Sequence, residues 1–507
     1  MPMKICFLSS RRFTYINQHL AYWLKKKYDV KDFSSYVYLR WSYDFLKSQE
    51  EVPFNSLLLD EEVHKEFEKE KLDLTYIASL EKKYGLPNLW AYIVLDRTMM
   101  FSQPMREYPY NTPPYSHEEL MRILQVKARA IISFLEKEKP DVVFFSAIGG
   151  MGSLLLYRVA RSMGIKVLNI LPTTTEKRYV LSEEYNRFTS VEDLCANHKD
   201  NISNATFEQA KKFLTEFRNK PQSYFYNAVT ATAKMGRSGQ FRFLLSPTQL
   251  WQSVSWYIKL IIHYFEDRKY NDYSSGMNPW YYIVDRVKRK IRNLIGNDNL
   301  YDAFDPKEDF AFFPLHYEPE IATLLLAPFY TDQINLVRQV ARSLPMHFKL
   351  YVKEHPLMVD YRARQFYKEL KKNPNVKLIK PNISGLDIVA KAKLIITITS
   401  SAAWESVMLK KPSISFGDWF YNFLPMVKRC RNVEELPSLI KEQLEHYKHD
   451  EEALLLFLAA IFEDSISIDM VHIWEQEQDE AKKRILLEPL ADLLAKKINL
   501  IKKSADS

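Results

Sequence analysis

The sequence Phe348-Lys-Leu-Tyr-Val-Lys-Glu-His-Pro356 joins an alternating apolar run, typical of a buried strand, to a charged turn. Two segments of the same kind follow. Leu394–Ile398 leads through Thr399-Ser-Ser401 into a helical pattern, and Pro412–Phe416 ends at Gly417. Charged and hydroxyl residues thus follow the carboxyl ends of successive strands, where open α/β sheets bind ligands. The stretch predicts an α/β sheet with a ligand site at that edge.

The turn at Ser400 and Ser401 suits a phosphate. The first turn of the following helix has free N–H groups and the positive end of the helix dipole, and the two hydroxyls add donors. Lys353 and His355 would supply positive charge and further donors from the neighbouring strand end. The alternative is that a serine here only caps the helix.

A set of motifs in this half of the chain resembles a known family. The motifs are Phe312-Phe-Pro-Leu-His-Tyr-Glu-Pro319, Tyr351-Val-Lys-Glu-His-Pro356, Thr397-Ile-Thr-Ser-Ser401, Glu405 and Pro412-Ser-Ile-Ser-Phe-Gly417. They resemble the C-terminal half of capsular polysaccharide biosynthesis proteins, glycosyltransferases of the GT-B architecture that include the capsule Kdo transferases. The resemblance is specific from about residue 308 to 435 and thin elsewhere.

The resemblance implies a fold and a donor site. The fold is α/β, with two Rossmann-like domains facing a cleft, a helical insertion and a helical C-terminal tail. His355, Ser400 and Ser401 would contact the donor nucleotide and its phosphate, together with Lys353. Glu405 would accept hydrogen bonds from a ribose or sugar, or else pair with a surface lysine. The chain has Ser-Ser-Ala-Ala where the family often has a glycine-rich turn, so hydroxyls would replace bare backbone at the phosphate.

A chain of 507 residues is too long for one core and indicates at least two domains. The expected boundaries are 1–180 for an N-terminal α/β domain on the acceptor side, 181–305 for a helical, aromatic and basic insertion, 306–435 for a nucleotide-sugar-binding α/β domain and 436–507 for a helical tail.

The N-terminal part begins as a doubly wound domain, with a strand at Lys4–Leu8 followed by a polar turn and a helix. Residues 31–90 are polar and are expected to be helical. Asp96 and Arg97 end an apolar helical run, which indicates either an internal ion pair or a catalytic acid–base group. An inverting transferase needs a base for the acceptor hydroxyl, so Asp96 is the candidate for that role.

Charge and cysteine content limit the partners and the compartment. With 71 basic and 63 acidic residues the net charge is +8, which favours acidic partners such as nucleotides, anionic glycans or lipid headgroups. Three dispersed cysteines indicate a reducing compartment. No signal pattern or apolar run of about 20 residues is evident, so a cytoplasmic protein, at most peripheral on the inner face of the membrane, is expected. The basic segment Trp280–Ile295 is either an interfacial helix or a connecting helix.

These observations together predict a glycosyltransferase that moves a sugar from a nucleotide-sugar donor to a capsular or surface polysaccharide, or to a glycolipid acceptor. No acidic metal motif stands in a convincing setting, so neither metal nor cofactor is expected, and no nucleic acid partner. Two alternatives remain open. One is a nucleotide-sugar epimerase of the same architecture, which would need no acceptor. The other is a non-catalytic scaffold at the membrane surface, which would bind no nucleotide.

Overall fold

The computed structural model describes residues 3–85, 87–101, 113–197, 199–222, 246–266, 279–359 and 361–500. The chain divides into two compact units. The first contains Met1–Ser190 and Asp464–Ser507, and the second contains Val191–Phe265 and Asn278–Glu463. The first unit is therefore discontinuous in sequence, because its last segment follows the whole of the second.

Each unit is built on one sheet. The strands are β1 (Lys4–Ser9), β2 (Asp32–Val37), β3 (Ser56–Leu59), β4 (Val142–Phe145), β5 (Lys166–Pro172), β6 (Arg178–Ser182), β7 (Phe310–Pro314), β8 (Lys349–Lys353), β9 (Val376–Ile379), β10 (Leu394–Thr397), β11 (Ser413–Ser415), β12 (Val427–Arg429) and β13 (Ile466–Ser467). The first sheet has the order β13-β6-β5-β4-β1-β2-β3, and the second β12-β11-β10-β7-β8-β9. All pairs are parallel except β5 with β6 and β6 with β13.

Helices make up most of the remaining described chain. They are α1 (Phe13–Tyr28), α2 (Arg40–Lys47), α3 (Asp60–Lys65), α4 (Leu74–Tyr84), α5 (Trp90–Val94), α6 (Arg97–Phe101), α7 (His117–Glu138), α8 (Met151–Ser162), α9 (Thr189–Asn197), α10 (Asn204–Asn219), α11 (Pro247–Glu266), α12 (Pro279–Ile295), α13 (Ile321–Leu324), α14 (Gln333–Ser343), α15 (Arg364–Leu370), α16 (Gly385–Lys391), α17 (Ser401–Met408), α18 (Leu436–Glu445), α19 (Glu451–Asp464), α20 (Met470–Glu475), α21 (Glu480–Leu486) and α22 (Glu488–Lys497).

The expectation that residues 31–90 are helical throughout is wrong, because β2 and β3 lie within them. The sequence of β2 is Asp-Phe-Ser-Ser-Tyr-Val and lacks the apolar run of the neighbouring strands. Its serines are nevertheless buried, and the hydroxyl of Ser35 donates to the carbonyl of Phe7 on β1 at 2.8 Å. A hydroxyl satisfied in this way can enter a sheet at little cost.

The core of the first unit includes residues from its beginning and its end. Leu20 and Leu24 of α1 share a cluster with Leu487, Leu490 and Leu494 of the C-terminal helices. The ion pairs from Lys27 of α1 to Glu488 (2.9 Å) and Asp492 (2.5 Å) lie at the edge of this contact. The C-terminal helical segment is thus part of the first unit.

The core of the second unit lies around its central strands. Buried side chains such as Phe313, Val352 and Ile396 fill one face of the sheet, against α14 and α18. The predicted α/β class is confirmed, with two mainly parallel sheets and a helical C-terminal tail. Among the helices that the structure describes, none is long and apolar enough to cross a membrane.

Candidate functional site

Three strands of the second sheet end side by side. β7 lies between β10 and β8, and all three run in the same direction. In this register Pro314 at the end of β7 pairs with Lys353 at the end of β8. The loops that begin at Leu315, Glu354 and Ile398 therefore leave the sheet at one edge, where ligands bind in sheets of this kind.

Lys353 is a buried cation at that edge. The residue is only 6% exposed. Burial lowers the pKa of its ammonium group to about 8, although the charges of Glu354 and Glu405 act to raise that pKa. Within the described part of the chain its Nζ has no hydrogen-bond partner and no ion-pair partner within 4.0 Å. A charge in this position is destabilising unless something compensates it, and a bound anion would do so.

Glu354 belongs instead to a buried network. Its Oε1 accepts hydrogen bonds from the guanidinium of Arg362 at 2.5 Å and from the backbone N–H of His355 at 2.7 Å, and its Oε2 accepts from the hydroxyl of Tyr367 at 2.8 Å. Arg362 also donates to Glu318 at 2.9 Å. Burial acts to lower the pKa of Arg362, but the two carboxylates outweigh it and raise that pKa. The network fixes the turn that carries His355.

His316 connects this network to the serine turn. Arg362 donates to the carbonyl of His316 at 2.7 Å, and the backbone N–H of Thr399 donates to its Nε2 at 3.0 Å. Nε2 must therefore be unprotonated. Burial lowers the pKa of His316 to about 3, and the charges of His355 and Arg362 act in the same direction. The ring is neutral at physiological pH and holds the start of the Thr399–Ser401 turn.

The serine turn has the geometry of a helix N-cap. The hydroxyl of Ser400 accepts from the N–H of Ala402 at 3.2 Å, and the N–H of Ser400 donates to Thr397 at 3.2 Å. Ser401 is the first residue of α17 and is half-buried. Gly417 permits this packing, because a Cβ there would lie 2.3 Å from Cγ2 of Thr399. Capping and ligand binding are compatible, since a cap satisfies only one of the free N–H groups.

His355 and Glu405 lie at the same edge. Nδ1 of His355 accepts from the N–H of Leu357 at 3.2 Å, so in the neutral ring Nε2 carries the proton and is a donor. Glu405 is buried in the second turn of α17, and its charge acts to raise the pKa of Lys353. Lys353, His355, Ser400, Ser401 and Glu405 thus belong to adjoining strand ends of one unit.

Asp96 lies in the first unit, separate from these residues. It is buried just before α6 and accepts from the N–H of Thr98 at 3.0 Å and of Met151, the first residue of α8, at 3.0 Å. Burial raises the pKa of its carboxyl group, although the charge of Lys127 and the hydrogen bonds oppose this. Oδ1 also accepts from the N–H of Met99 at 3.4 Å, so it is Oδ2 that keeps a lone pair for a further proton or donor.

The glycines at the start of α8 leave space for the side chains of Asp96 and Tyr36. A Cβ at Gly150 would lie 2.9 Å from Oδ2 of Asp96, and one at Gly152 would lie 1.9 Å from the hydroxyl of Tyr36. Tyr36 in turn contacts Asp60, which forms a fully buried ion pair with Lys127 at 2.5 Å. Gly150 therefore allows Asp96 to reach the N-terminus of α8, and Gly152 leaves room for the hydroxyl of Tyr36.

No cluster of histidine, cysteine and carboxylate groups suited to a metal ion occurs in the residues that the structure describes. Sequence reasoning gave no role to Glu354, His316 or Arg362. Glu354 and His316 stand inside the quoted motifs, but their partners come from other loops, so their function in holding the turns could not be derived from spacing.

Comparison with known proteins covers mainly the second unit. Residues 253–429 match a family described as "Capsule polysaccharide biosynthesis protein". Protein FixF of Sinorhizobium fredii (strain NBRC 101917 / NGR234) is 26% identical over 172 residues, which are 33% of this chain and 39% of FixF. The matched segment therefore spans less than half of that relative.

Solved structures give more distant matches. The beta Kdo 2,7 transferase KpsC of Thermosulfurimonas dismutans is 10% identical, with a TM-score of 0.36, over 71% of this chain and 89% of its own. A UDP-GlcNAc 2-epimerase of Methanocaldococcus jannaschii in complex with UDP-GlcNAc and UDP is 13% identical, with a TM-score of 0.29, over 91% and 99%. Because these TM-scores are below 0.5, the description of the fold is based on the two sheets of this chain alone.

Proposed function

We propose, from the match of residues 253–429 to the capsule polysaccharide biosynthesis protein family, that the chain transfers a sugar from a nucleotide-sugar donor to a capsular or surface polysaccharide. The family resemblance drawn from the sequence is confirmed. The activity, the donor and the acceptor are our proposal, as are the cytoplasmic location, an anionic membrane surface as a further partner, and a reaction without a metal ion.

The observation that carries the proposal is the position of Lys353 at the edge where β7, β8 and β10 end, with an Nζ that has no hydrogen-bond or ion-pair partner among the described residues. The phosphate of a nucleoside diphosphate or monophosphate leaving group would bind this ammonium group directly. In this assignment the hydroxyls and N–H groups at Ser400 and Ser401, with Nε2–H of His355, donate to the phosphate. Glu405 accepts from a ribose or sugar hydroxyl. Fixed donors of this kind stabilise the charge that develops as the sugar leaves.

The test is a calorimetric titration of the full chain with CMP, UDP, GDP and their common sugar conjugates. We expect one nucleotide class to bind, and we expect His355→Ala, Ser400→Ala and Ser401→Ala to weaken it by about tenfold each, as for a lost hydrogen bond to a charged group. Ser203→Ala is the control, because Ser203 is also an N-cap residue, and its hydroxyl accepts from the N–H of Thr206 at the start of α10. It should cost stability as Ser400→Ala does, without changing nucleotide affinity.

The outcomes separate the candidate functions. Absence of binding by every nucleotide would overturn the donor site and favour a scaffold. A nucleotide sugar that binds and is converted to its epimer in the absence of an acceptor would replace transfer with epimerisation. Full activity in excess chelator is expected for the metal-independent reaction, and its loss would contradict that part of the proposal.

Asp96 is proposed as the base that accepts the proton of the acceptor hydroxyl. We expect Asp96→Asn to lower kcat by about 10²- to 10⁴-fold, the usual contribution of a general base. Nucleotide affinity should not change, because the donor residues are in the other unit. The amide oxygen of the variant can replace only one of the two carboxylate oxygens, and its NH2 group would face the N–H of Met151 or Thr98, so the melting temperature should fall as well. Activity within tenfold of the wild type, or a loss confined to KM, would exclude this role.

A further inference from the structure

An apolar stripe on α11 faces solvent. Its members follow one another at intervals of three or four residues, so they lie on one side of the helix. Each of them is between 43% and 71% exposed: Trp251, Val254, Ile258, Ile262 and Phe265. Scattered apolar residues are normal on a protein surface, but a continuous stripe of large side chains marks a binding surface.

Helix α12 has a second stripe, whose members are separated by seven, four, three and one residues and lie on one side of the helix. Its members are between 49% and 66% exposed: Trp280, Val287, Ile291, Leu294 and Ile295. Arg286 and Lys288 immediately flank Val287 and are exposed as well. At 100° per residue they lie on opposite sides of the stripe. The stripe is thus bordered by positive charge on both sides.

The face of α12 that packs on the protein is polar. Asp285 is buried and pairs with Arg289 at 2.8 Å. Arg289 donates to the hydroxyl of Tyr361 at 2.9 Å and stacks on its ring at 4.6 Å, and Arg292 donates to the carbonyl of Tyr361 at 2.5 Å. A helix of a soluble protein normally buries its apolar face. Here polar contacts anchor the helix, and the apolar face is directed away from the body of the unit.

The two helices contact each other directly. The rings of Trp256 and Tyr282 lie 4.8 Å apart, and the hydroxyl of Tyr257 donates to the carbonyl of Pro279 at 3.3 Å. These contacts use sides of α11 and α12 other than the two stripes. The stripes and the flanking basic residues are here called the α11–α12 surface.

We propose that the α11–α12 surface binds an anionic lipid bilayer, with both stripes at the level of the headgroups and acyl chains. Aromatic and aliphatic side chains on one face of a helix, with Lys and Arg beside them, are the composition of interfacial helices. Anionic lipids attract basic residues near the surface. The cores of protein–protein interfaces, by contrast, are depleted in lysine. The proposal identifies which surface of the chain would bind the anionic membrane included in the proposed function, and it does not depend on the transfer reaction, because binding to lipid needs neither donor nor acceptor.

The test is co-sedimentation of the full chain with vesicles. One set contains phosphatidylcholine alone, and the other also contains roughly a third phosphatidylglycerol. We expect binding to the anionic vesicles only, weakened by added salt. The variant with Ile258→Asp and Ile291→Asp should lose it. The variant with Arg286→Gln and Lys288→Gln should bind about 25-fold more weakly, since each basic residue near the membrane contributes a factor of about five.

Two control variants lie on other surfaces of the same unit. Met346→Asp replaces a fully exposed apolar residue, and the double variant Lys211→Gln and Lys212→Gln removes two exposed charges from α10. Both should bind as the wild type does. Wild-type binding that persists in the Ile258 and Ile291 variant, or no binding to anionic vesicles, would overturn the proposal. An oligomer that this variant dissociates in the absence of lipid would instead assign the surface to self-association.

Discussion

Arg362→Ala is expected to lower the free energy of unfolding of the second unit by about 3 to 5 kcal/mol, the cost of removing one partner from a buried ion pair. Arg362 is the only cation within 4.0 Å of the buried Glu354 among the residues that the structure describes, and it also pairs with Glu318. The alanine variant would leave Glu354 charged and buried, with only the hydroxyl of Tyr367 and the N–H of His355 as donors. Chemical denaturation followed by fluorescence measures the change.

Two variants make this test specific. Arg362→Lys keeps the charge, but its single nitrogen cannot occupy both positions from which the two terminal guanidinium nitrogens donate to Glu354 and to Glu318 and His316, so its loss of stability should be intermediate. Arg364→Ala, two residues along the chain, removes hydrogen bonds to Gly296 and Asn299 from a half-buried position and should cost less than about 1 kcal/mol. Equal losses for Arg362→Ala and Arg364→Ala would mean that the network contributes no more than surface contacts.

Lys353→Met should abolish most nucleotide binding and leave the protein at least as stable as the wild type. A charged hydrogen bond to phosphate contributes about 1.5 to 3 kcal/mol, so affinity should fall by about 10- to 100-fold. The free protein, however, loses a buried charge that has no hydrogen-bond or ion-pair partner among the described residues, and an apolar group of similar length is easier to bury. Calorimetry and thermal unfolding measure the two effects.

Lys371→Met is the matched control for this pair of effects. Lys371 makes an ion pair with Asp302 at 2.6 Å and is about one third exposed. Its replacement should lower stability slightly and leave nucleotide affinity unchanged, the reverse of the pattern for Lys353→Met. If Lys353→Met instead lowered the melting temperature and bound nucleotide normally, Lys353 would be a structural residue.

The pKa of Lys353 also predicts a pH dependence. Burial lowers the pKa to about 8, so the free protein loses this positive charge as the pH rises through 8. Nucleotide affinity should then fall by up to tenfold per pH unit, and Lys353→Met should not show this decline. Between pH 8 and about 10.4 the unfolded chain still binds the proton that the folded protein has lost. The destabilisation caused by Lys353 should therefore decrease over that range, and the stabilities of wild type and variant should converge.

The sequence predicted those elements that have strong periodicity or clear end signals. The strand expected at Lys4–Leu8 is β1, Lys4–Ser9, and the strand expected at Leu394–Ile398 is β10, Leu394–Thr397. Strands β2 and β3 were not predicted, because the buried serines of β2 carry no hydrophobic pattern and β3 is only four residues long. Strand β13 has two residues, which is too short for any pattern.

For the candidate site, the local sequence predicted the residues at the strand ends but not the side chains that hold the following loops in place. Lys353, His355 and Ser400 could be chosen because each directly follows a predicted strand. The network around Arg362 could not, because its partners come from the loops after β7 and β8 and are brought together only by the order of the strands. The outward orientation of the stripe on α12 could not be predicted either, because an amphipathic pattern does not show which face of a helix packs against the rest of the protein.

The discontinuity of the first unit has a consequence for synthesis on the ribosome. Leu490 and Leu494 complete the cluster around Leu20 and Leu24, but they are translated after every residue of the second unit. The second unit can therefore finish folding while the nascent N-terminal segment still exposes the face of α1 that the C-terminal helices will cover. No single cut between the units can release the first as a separate domain, and any truncation that removes α22 opens the core built by the first strand and helix of the chain.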